Sequence, residues 1–245
     1  MSVLVFVLQT VLCLLTLPLH LLALFGYWQP IWSKYFPYLM AMLTPKCNQK
    51  MEGKKRELFS QIKKLAGASG KVTLLELGCG TGANFEFYPA GCRVTCIDPN
   101  PHFKKFLTES MAKNKHLQYE EFLVAPGEDM SQVADGSMDV VVCTLVLCSV
   151  QSPRKVLQEV QRVLRPGGIF FFWEHVAESP GSWTLMLQQV AEPTWKHIGD
   201  GCCYLTRETW KELERAKFSE LQLEWQPPPI KWLPVGPHIM GLAVK

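Results

Sequence analysis

The sequence predicts an α/β fold, a doubly wound, mixed sheet of seven strands preceded by an N-terminal hydrophobic membrane-anchor helix. Three observations carry that reading. Met1 to Ser33 contains no Asp, Glu, Lys or Arg. Leu74-Leu-Glu-Leu-Gly-Cys-Gly-Thr-Gly82 runs from an apolar strand straight into three glycines. From there to residue 175 short apolar runs alternate with helical patterns, the signature of a parallel sheet covered on both faces by helices.

The first element is the run Val3 to Trp28, broken only by Gln9, Thr10, Thr16, Pro18, His20 and Gly26. As one helix it would be about 39 Å long, against a bilayer core of roughly 30 Å. It lacks the basic start, short apolar core and small-x-small site of a cleaved signal peptide. Residues 1–33 therefore read as an uncleaved anchor in the lipid bilayer. Pro18 leaves a kinked or hairpin insertion in one leaflet open. Lys34, Lys46, Lys50, Lys54, Lys55 and Arg56 all follow the run, which places the rest of the chain on the cytosolic side. Trp28, Trp32, Tyr35, Phe36 and Tyr38 form an aromatic cluster where the chain would leave the membrane. Residues 34–53 read as a basic, aromatic linker and 54–245 as a single catalytic domain.

Met51 to Leu65 has the spacing of an amphipathic helix, with Leu58, Phe59, Ile62 and Leu65 on one face, and Gly67 to Gly70 ends it. Strands are expected near 72–77, 92–97, 118–124, 138–144 and 169–174, with helices near 82–88, 102–114 and 152–164. Thr184 to His197 and Thr206 to Ala216 read as two more helices. Leu221 to Trp225 and His238 to Val244 read as the last strands, joined by a rigid turn at Pro227 to Pro229.

The chemistry concentrates where strands end. Gly78, Cys79, Gly80 and Gly82 form a turn in which backbone can approach a ligand with no Cβ in the way. Glu76 places a carboxylate just before it, which suits a cationic ligand such as S-adenosylmethionine better than a pyrophosphate. Gly78-Cys-Gly-Thr-Gly-Ala83 also fits the loose pattern of nicotinamide sites, and Asp98 lies at the matching distance. Later pieces separate the two. The second strand ends in Asp98-Pro99, with Asp98 suited to the two hydroxyls of a ribose and Asn100 to capping the next helix. The third ends in Gly127-Glu128-Asp129, suited to an adenine amino group. The fourth ends at Thr144, and a helix then leads to Arg165-Pro-Gly-Gly168.

These pieces, in this order over residues 54 to 175, resemble the class I S-adenosylmethionine-dependent methyltransferases, whose sheet is Rossmann-like. Lys55-Arg-Glu-Leu-Phe-Ser60, Gly80-Thr-Gly-Ala-Asn84, Cys92 to Pro101 and Val140 to Ser149 resemble a narrower group, the methyltransferase-like 7 proteins. The resemblance implies S-adenosyl-L-methionine as cofactor and a small, lipophilic alkyl thiol as acceptor. It implies an antiparallel final strand, a monomer, and residence at the endoplasmic reticulum membrane and lipid droplets. Two other readings stay open at this point. One is methylation of another small lipophilic or lipid acceptor at O or N. The other is a non-catalytic membrane-associated scaffold that binds the cofactor.

Composition narrows the partners. The net charge of +3 comes from scattered lysines and arginines, so nucleic acid is not expected. Nine cysteines without a C-x-x-C pair give no reason to expect a metal, and Cys202-Cys203 reads as two free thiols. Methyl transfer is a displacement governed by placement of the reacting atoms. A thiol needs little more, since a few per cent is already thiolate near neutral pH. His175, at the end of the fifth strand, is the candidate base that takes the thiol proton. His197 and Asp200 are weaker candidates for the border of the acceptor pocket, and Phe172, Trp173, Trp183 and Trp195 for its apolar wall.

Overall fold

In the computed structural model, which describes residues 2–65, 71–199, 203–228 and 233–245, seven strands form one sheet. They are β1 (Val72–Leu77), β2 (Cys92–Ile97), β3 (Gln118–Leu123), β4 (Met138–Thr144), β5 (Leu164–His175), β6 (Glu220–Gln226) and β7 (His238–Val244). The order is β3-β2-β1-β4-β5-β7-β6, parallel from β3 through β5, with β7 antiparallel between β5 and β6. The order reverses between β1 and β4, so a crevice opens at the carboxyl ends of those strands.

The pleat divides the core in two. Leu75, Leu77, Val141, Cys143, Phe170 and Phe172 face one side. There α5 (Pro153–Val163) packs Val156, Leu157, Val160 and Val163 onto the sheet, a spacing that keeps all four on one helical face. Ser152 caps this helix by accepting from Lys155 N, and Pro153 starts it. Leu74, Val94, Cys96, Val140, Val142, Phe171 and Trp173 face the other side, toward Leu58, Phe59 and Ile62. Phe172 and Trp173 thus lie in opposite halves of the core, while Trp183 is exposed. The expected aromatic acceptor wall is not assembled, because neighbouring residues of a strand point to opposite faces.

The N-terminal region differs from the expected straight helix. It is two helices, α1 (Val3–Leu15) and α2 (Leu17–Leu24), bent by 74°. Pro18 offers no N–H, and its ring displaces the carbonyl one turn back, so the helix breaks at Thr16. Among the described residues no single helix is long and apolar enough to cross a membrane; the bent pair meets that measure jointly. The stretch expected as a linker is helical throughout, since α3 runs unbroken from Trp28 to Ser60, with Gln61–Leu65 finishing it as a 3₁₀ turn.

The apolar pair also docks on α6 (Trp183–Ile198). Gln9 Nε2 donates to Gln189 O at 2.9 Å, and the Thr16 and Thr194 hydroxyls lie 3.1 Å apart. His20 Nδ1 and His197 Nε2 lie 3.0 Å apart. The indoles of Trp28 and Trp32 donate to the carbonyls of His197 and Ile198 at the end of α6. Part of the aromatic cluster expected at a membrane surface is therefore turned into the protein.

Smaller differences follow local rules. The helix expected at 82–88 is a turn with a short 3₁₀ segment, Phe85–Phe87. The helix after β2 begins as a 3₁₀ turn, with Asn100 accepting from His102 N as expected, and continues as α4 (Lys104–Lys113). The last helix, α7, is Thr209–Arg215. Gly67 to Gly70, Asp200, Cys202 and Pro229 lie outside the described residues.

Gly241 of β7 lies between Phe172 of β5 and Leu223 of β6. A Cβ there would drive into the carbonyl of Gln222 and stand 3.0 Å from Phe172. Gly241→Ala is expected to cost about 1–3 kcal/mol by overpacking. Urea unfolding of the variant checks this; an unchanged midpoint would show that the ladder tolerates the methyl.

Candidate active site

The crevice is built from the ends of four strands. After β1 the chain turns through Gly78, Cys79, Gly80, Thr81 and Gly82. Gly78 has φ +62°, and a Cβ on it would collide with Val146 beyond β4. Only glycine allows this turn to close under the neighbouring loop. Gly78 N and Cys79 N donate to Ile97 O, which anchors the turn to β2. Gly80 N donates to Asp98 Oδ2 at 3.0 Å, and Asn100 N donates to Asp98 Oδ1 at 2.9 Å. Asp98 is thus a buried carboxylate at the crest of β2, beside the glycines. The Cys79 side chain turns into the core next to Cys96, and burial raises its thiol pKa. Pro99 is exposed between the buried Asp98 and Asn100.

Glu76 is not open to the crevice. The pleat points it to the α3 side of the sheet, where it is fully buried. It accepts from Asn84 Nδ2 at 2.6 Å and from the Tyr88 hydroxyl. Asn84 Nδ2 also lies 2.5 Å from Thr144 Oγ1, while Asn84 Oδ1 accepts from Lys55 Nζ at 2.8 Å. Lys55, itself buried, donates its other bond to Asn48 Oδ1 at 2.7 Å. Burial pushes Glu76 up to about 7 and Lys55 down to about 8. Asn48, Lys55, Asn84 and Tyr88 are the members of this site that motif reading missed. One signal was available. Met51, Lys55, Leu58, Phe59 and Ile62 fall on one helical stripe, so a charged residue stands within an apolar face.

The turn after β3 holds both of its acids on backbone amides. Glu128 Oε1 accepts from Gln151 N and Ser152 N at the start of α5. Asp129 is exposed and accepts from Ser131 N, which holds its carboxyl below the usual range. Gly127 is buried against Leu77 and Val156. Both acids are thus engaged by backbone amides, a role that spacing alone does not reveal. A groove of about 380 Å³ opens between α3 and α4 behind the glycine turn, lined by Asn48, Gly82, Glu86 and Phe106 among others. It does not reach Asp98 or His175.

At the other side of the crevice Glu174 is fully buried and accepts from Val146 N at 3.0 Å and Cys148 N at 3.4 Å. It thereby fixes the loop after β4, in which Leu145 has φ +59°. Burial pushes Glu174 up to about 7. His175, next in the strand, is buried rather than solvated. Its Nε2 lies 3.2 Å from Cys203 Sγ, and Cys203 Sγ lies 3.9 Å from Cys148 Sγ. His197, the other histidine candidate, is engaged with His20 between α2 and α6. The sequence gives no local sign of the Cys148, His175 and Cys203 cluster, since its members come from three separate segments.

Residues 75–172 match a family model described as a methyltransferase domain. The human thiol S-methyltransferase TMT1B is 79% identical over 245 residues, covering 100% of both chains. The human thiol S-methyltransferase TMT1A is 60% identical over 220 residues, 90% of each chain. Among solved structures, an arsenic(III) S-adenosylmethionine methyltransferase from Chlamydomonas reinhardtii aligns with TM-score 0.55 at 19% identity, covering 71% of this chain and 64% of that one. That last likeness is one of fold.

The two buried carboxyls carry a pH signature. Both have pKa values raised from 4.5 to about 7, so the folded protein keeps two protons that the unfolded chain releases. Each group on its own makes stability fall as pH rises from about 4.5 to about 7, by up to about 3 kcal/mol, while His238, pushed down to about 3, contributes with the opposite sign below about 6.5. Glu174→Gln should flatten the profile by its share. Urea unfolding of both proteins between pH 4.5 and 8 is the measurement; a difference between wild type and Glu174→Gln that stays constant through that window contradicts the assignment.

Proposed function

The chain belongs to the S-adenosylmethionine-dependent thiol S-methyltransferases, and from that membership we propose that it methylates a small, lipophilic alkyl thiol at a membrane surface. The observation that carries the thiol assignment is identity over the full length to enzymes of that activity.

The residues of the crevice fit the cofactor. The Gly78 to Gly82 turn is a backbone cradle that a Cβ would fill, and Asp98 stands beside it at the end of β2. Asp98 would hold the ribose hydroxyls, the turn would take the aminoacyl end, and the loop Gly127 to Asp129 would border the adenine. S-adenosylmethionine, when bound, supplies a methyl group on a sulfonium that a nucleophile displaces in line. The chain's contribution is to hold the acceptor sulfur opposite that methyl group and to exclude water. The Glu76, Asn84 and Lys55 network beneath the turn keeps the cradle in register with α3. Incubation with the labelled cofactor and matched thiol, amine and phenol acceptors tests the reading. Transfer to thiols is expected; transfer to amines alone would overturn the substrate class.

Membrane attachment through residues 1–33 is supported by the charge-free apolar run and by the exposed apolar side chains of α1 and α2. The basic residues that follow support a cytosolic catalytic domain, and the endoplasmic reticulum membrane and lipid droplets are the proposed sites. The bend at Thr16 favours insertion into one leaflet over a straight span.

Asp98→Ala removes a charged partner for two ribose hydroxyls, each such bond contributing about 1.5–3 kcal/mol. Cofactor affinity measured by calorimetry should fall by about a hundredfold or more; wild-type affinity would refute the ribose assignment. Removing residues 1–24 should release the protein from microsomes after carbonate washing. Because the apolar pair docks on α6, the same truncation should lower the melting temperature while leaving cofactor affinity unchanged. Extraction of the full-length protein by carbonate would remove the anchor from the account.

A further inference from the structure

The cluster of Cys148, His175 and Cys203 has no part in the cradle. We propose that it is the acceptor end of the site, where the His175–Cys203 pair takes the proton from the acceptor thiol and the resulting imidazolium steadies the acceptor thiolate. This deepens the thiol methyltransferase reading and rests on it.

Position is the first argument. His175 ends β5, and Cys148 lies in the loop after β4, on the same crest as the glycine turn and Asp98. In a doubly wound sheet, ligands bind at the carboxyl ends of strands, beside the reversal in strand order. That crest has a donor side at β1 and β2, and the cluster occupies the side opposite. Its placement is over-determined. Glu174 holds the loop that carries Cys148 through two backbone amides, and Tyr204 N donates to Cys148 O at 2.9 Å, tying the Cys203 segment to that loop. Arg207 donates to the carbonyls of Leu147 and Val150, closing the same loop from its far end.

Composition is the second. All three side chains are buried, and the ligand atoms of the three lie within 4.8 Å of one another. A buried imidazole with only sulfur partners is an expensive arrangement unless it shares a proton. His175 Nε2 shares one with Cys203 Sγ, while His175 Nδ1 has no hydrogen-bond partner among the described residues. The surrounding groups favour the ionised pair, Glu174 by its charge once it ionises near pH 7 and Cys148 and Ser149 by hydrogen bonds to Cys203. Glu174 lies beside His175 in β5, and Cys148 and Ser149 face Cys203 from the loop. His238 of β7, with ring centroid 6.3 Å from that of His175, is pushed down to about 3 by burial and stays neutral. Burial, first, and the charge of Arg207 oppose the imidazolium. Accordingly the Cys203 thiol is drawn down by Cys148 and by His175, and His175 is raised in spite of its burial.

The chemistry closes. The acceptor S–H bond breaks with its electron pair left on sulfur, and the proton goes to Cys203 Sγ, leaving an imidazolium next to two sulfurs. A lone pair of the acceptor sulfur then forms the bond to the methyl carbon as the bond to the departing sulfur breaks. The proton leaves to solvent at the end of the cycle. A thiol, whose pKa lies near that of cysteine, can give its proton to such a pair; an alcohol cannot. The cluster would therefore choose sulfur over oxygen.

The test is methyl transfer by the full-length protein to small alkyl and aryl thiols of graded pKa, from pH 6 to 10. Wild type is compared with Cys203→Ala, Cys203→Ser and His175→Asn, with cofactor affinity measured by calorimetry in each. A free alkyl thiol is only a few per cent ionised near pH 7, so a base can gain about tenfold to a hundredfold there. The variants should lose that much toward alkyl thiols at pH 7. They should recover as pH passes the acceptor's own pKa, and lose little toward an acidic aryl thiol. Thiolate absorbance at 240 nm near pH 7 should be smaller in Cys203→Ser and His175→Asn than in wild type. Equal loss at every pH and for every acceptor would overturn the proposal, as would loss of cofactor affinity in step with activity. Stoichiometric zinc in the purified wild type would also overturn it, since the cluster would then be a ligand set. A wild type that methylates no thiol at all would sink the parent reading instead.

Discussion

The burial of Glu76 is the constraint on which the donor half of this structure depends. A carboxylate on the penultimate position of a central strand cannot reach water, and its burial must be offset by donors brought from elsewhere. Asn84 comes from beyond the glycine turn, Tyr88 from just before β2, and Lys55, through Asn84, from α3. Those three attachments dictate that the turn fold back over β1 and that α3 lie across the sheet. The cradle is thus shaped from beneath by a polar network, and its glycines are the part that this network leaves free to meet a ligand. Glu174 repeats the device on β5, where backbone amides of the loop after β4 are the donors.

Local chemistry was legible in the sequence wherever it rests on neighbours along the chain. The glycine turn, Asp98 at a strand end and Asn100 as a cap are short-range facts, and β1, β2, β4 and the end of β5 showed as apolar runs between turn residues, whereas β3 and β6 are largely polar. The antiparallel last strand followed from resemblance to a family. What remained hidden depends on contacts across long separations. Pro18 signalled a break in the apolar run, but nothing in its surroundings indicated that α6 would receive the result. Spacing marked Glu128 and Asp129 as strand-end acids but gave no sign that Glu128 also accepts from amides at the start of α5 or that Asp129 accepts from Ser131 N. By charge, Lys55 reads only as one of the basic residues that follow the apolar run.

The two ends of the crevice differ in kind. The side at β1 and β2 is built on charge and backbone, with the buried Asp98 and Ile97 O holding the amides of the glycine turn. The opposite side is built on sulfur and imidazole, with a carboxylate behind them that positions the loop. A polar cofactor and a soft, lipophilic acceptor ask for just such a division. The long helix α3 joins this chemistry to the apolar N-terminus. It carries Trp28 and Trp32 at the α6 end and Asn48 and Lys55 at the Glu76 end, about 24–40 Å further along its axis at 1.5 Å per residue.

The docking of the N-terminal pair on α6 has a consequence in time. Its hydrogen-bonding partners lie 177 to 180 residues downstream. At ribosomal rates of about 5–20 residues per second, the first helices exist for roughly 9–36 s before their protein partner has been made. Throughout that interval their leucines and phenylalanines face whatever surface the nascent chain meets. A lipid layer close to the ribosome therefore competes with no protein contact at all when it first receives this segment. Until α6 is complete, the contacts that Gln9, Thr16 and His20 make with it have nothing to form against.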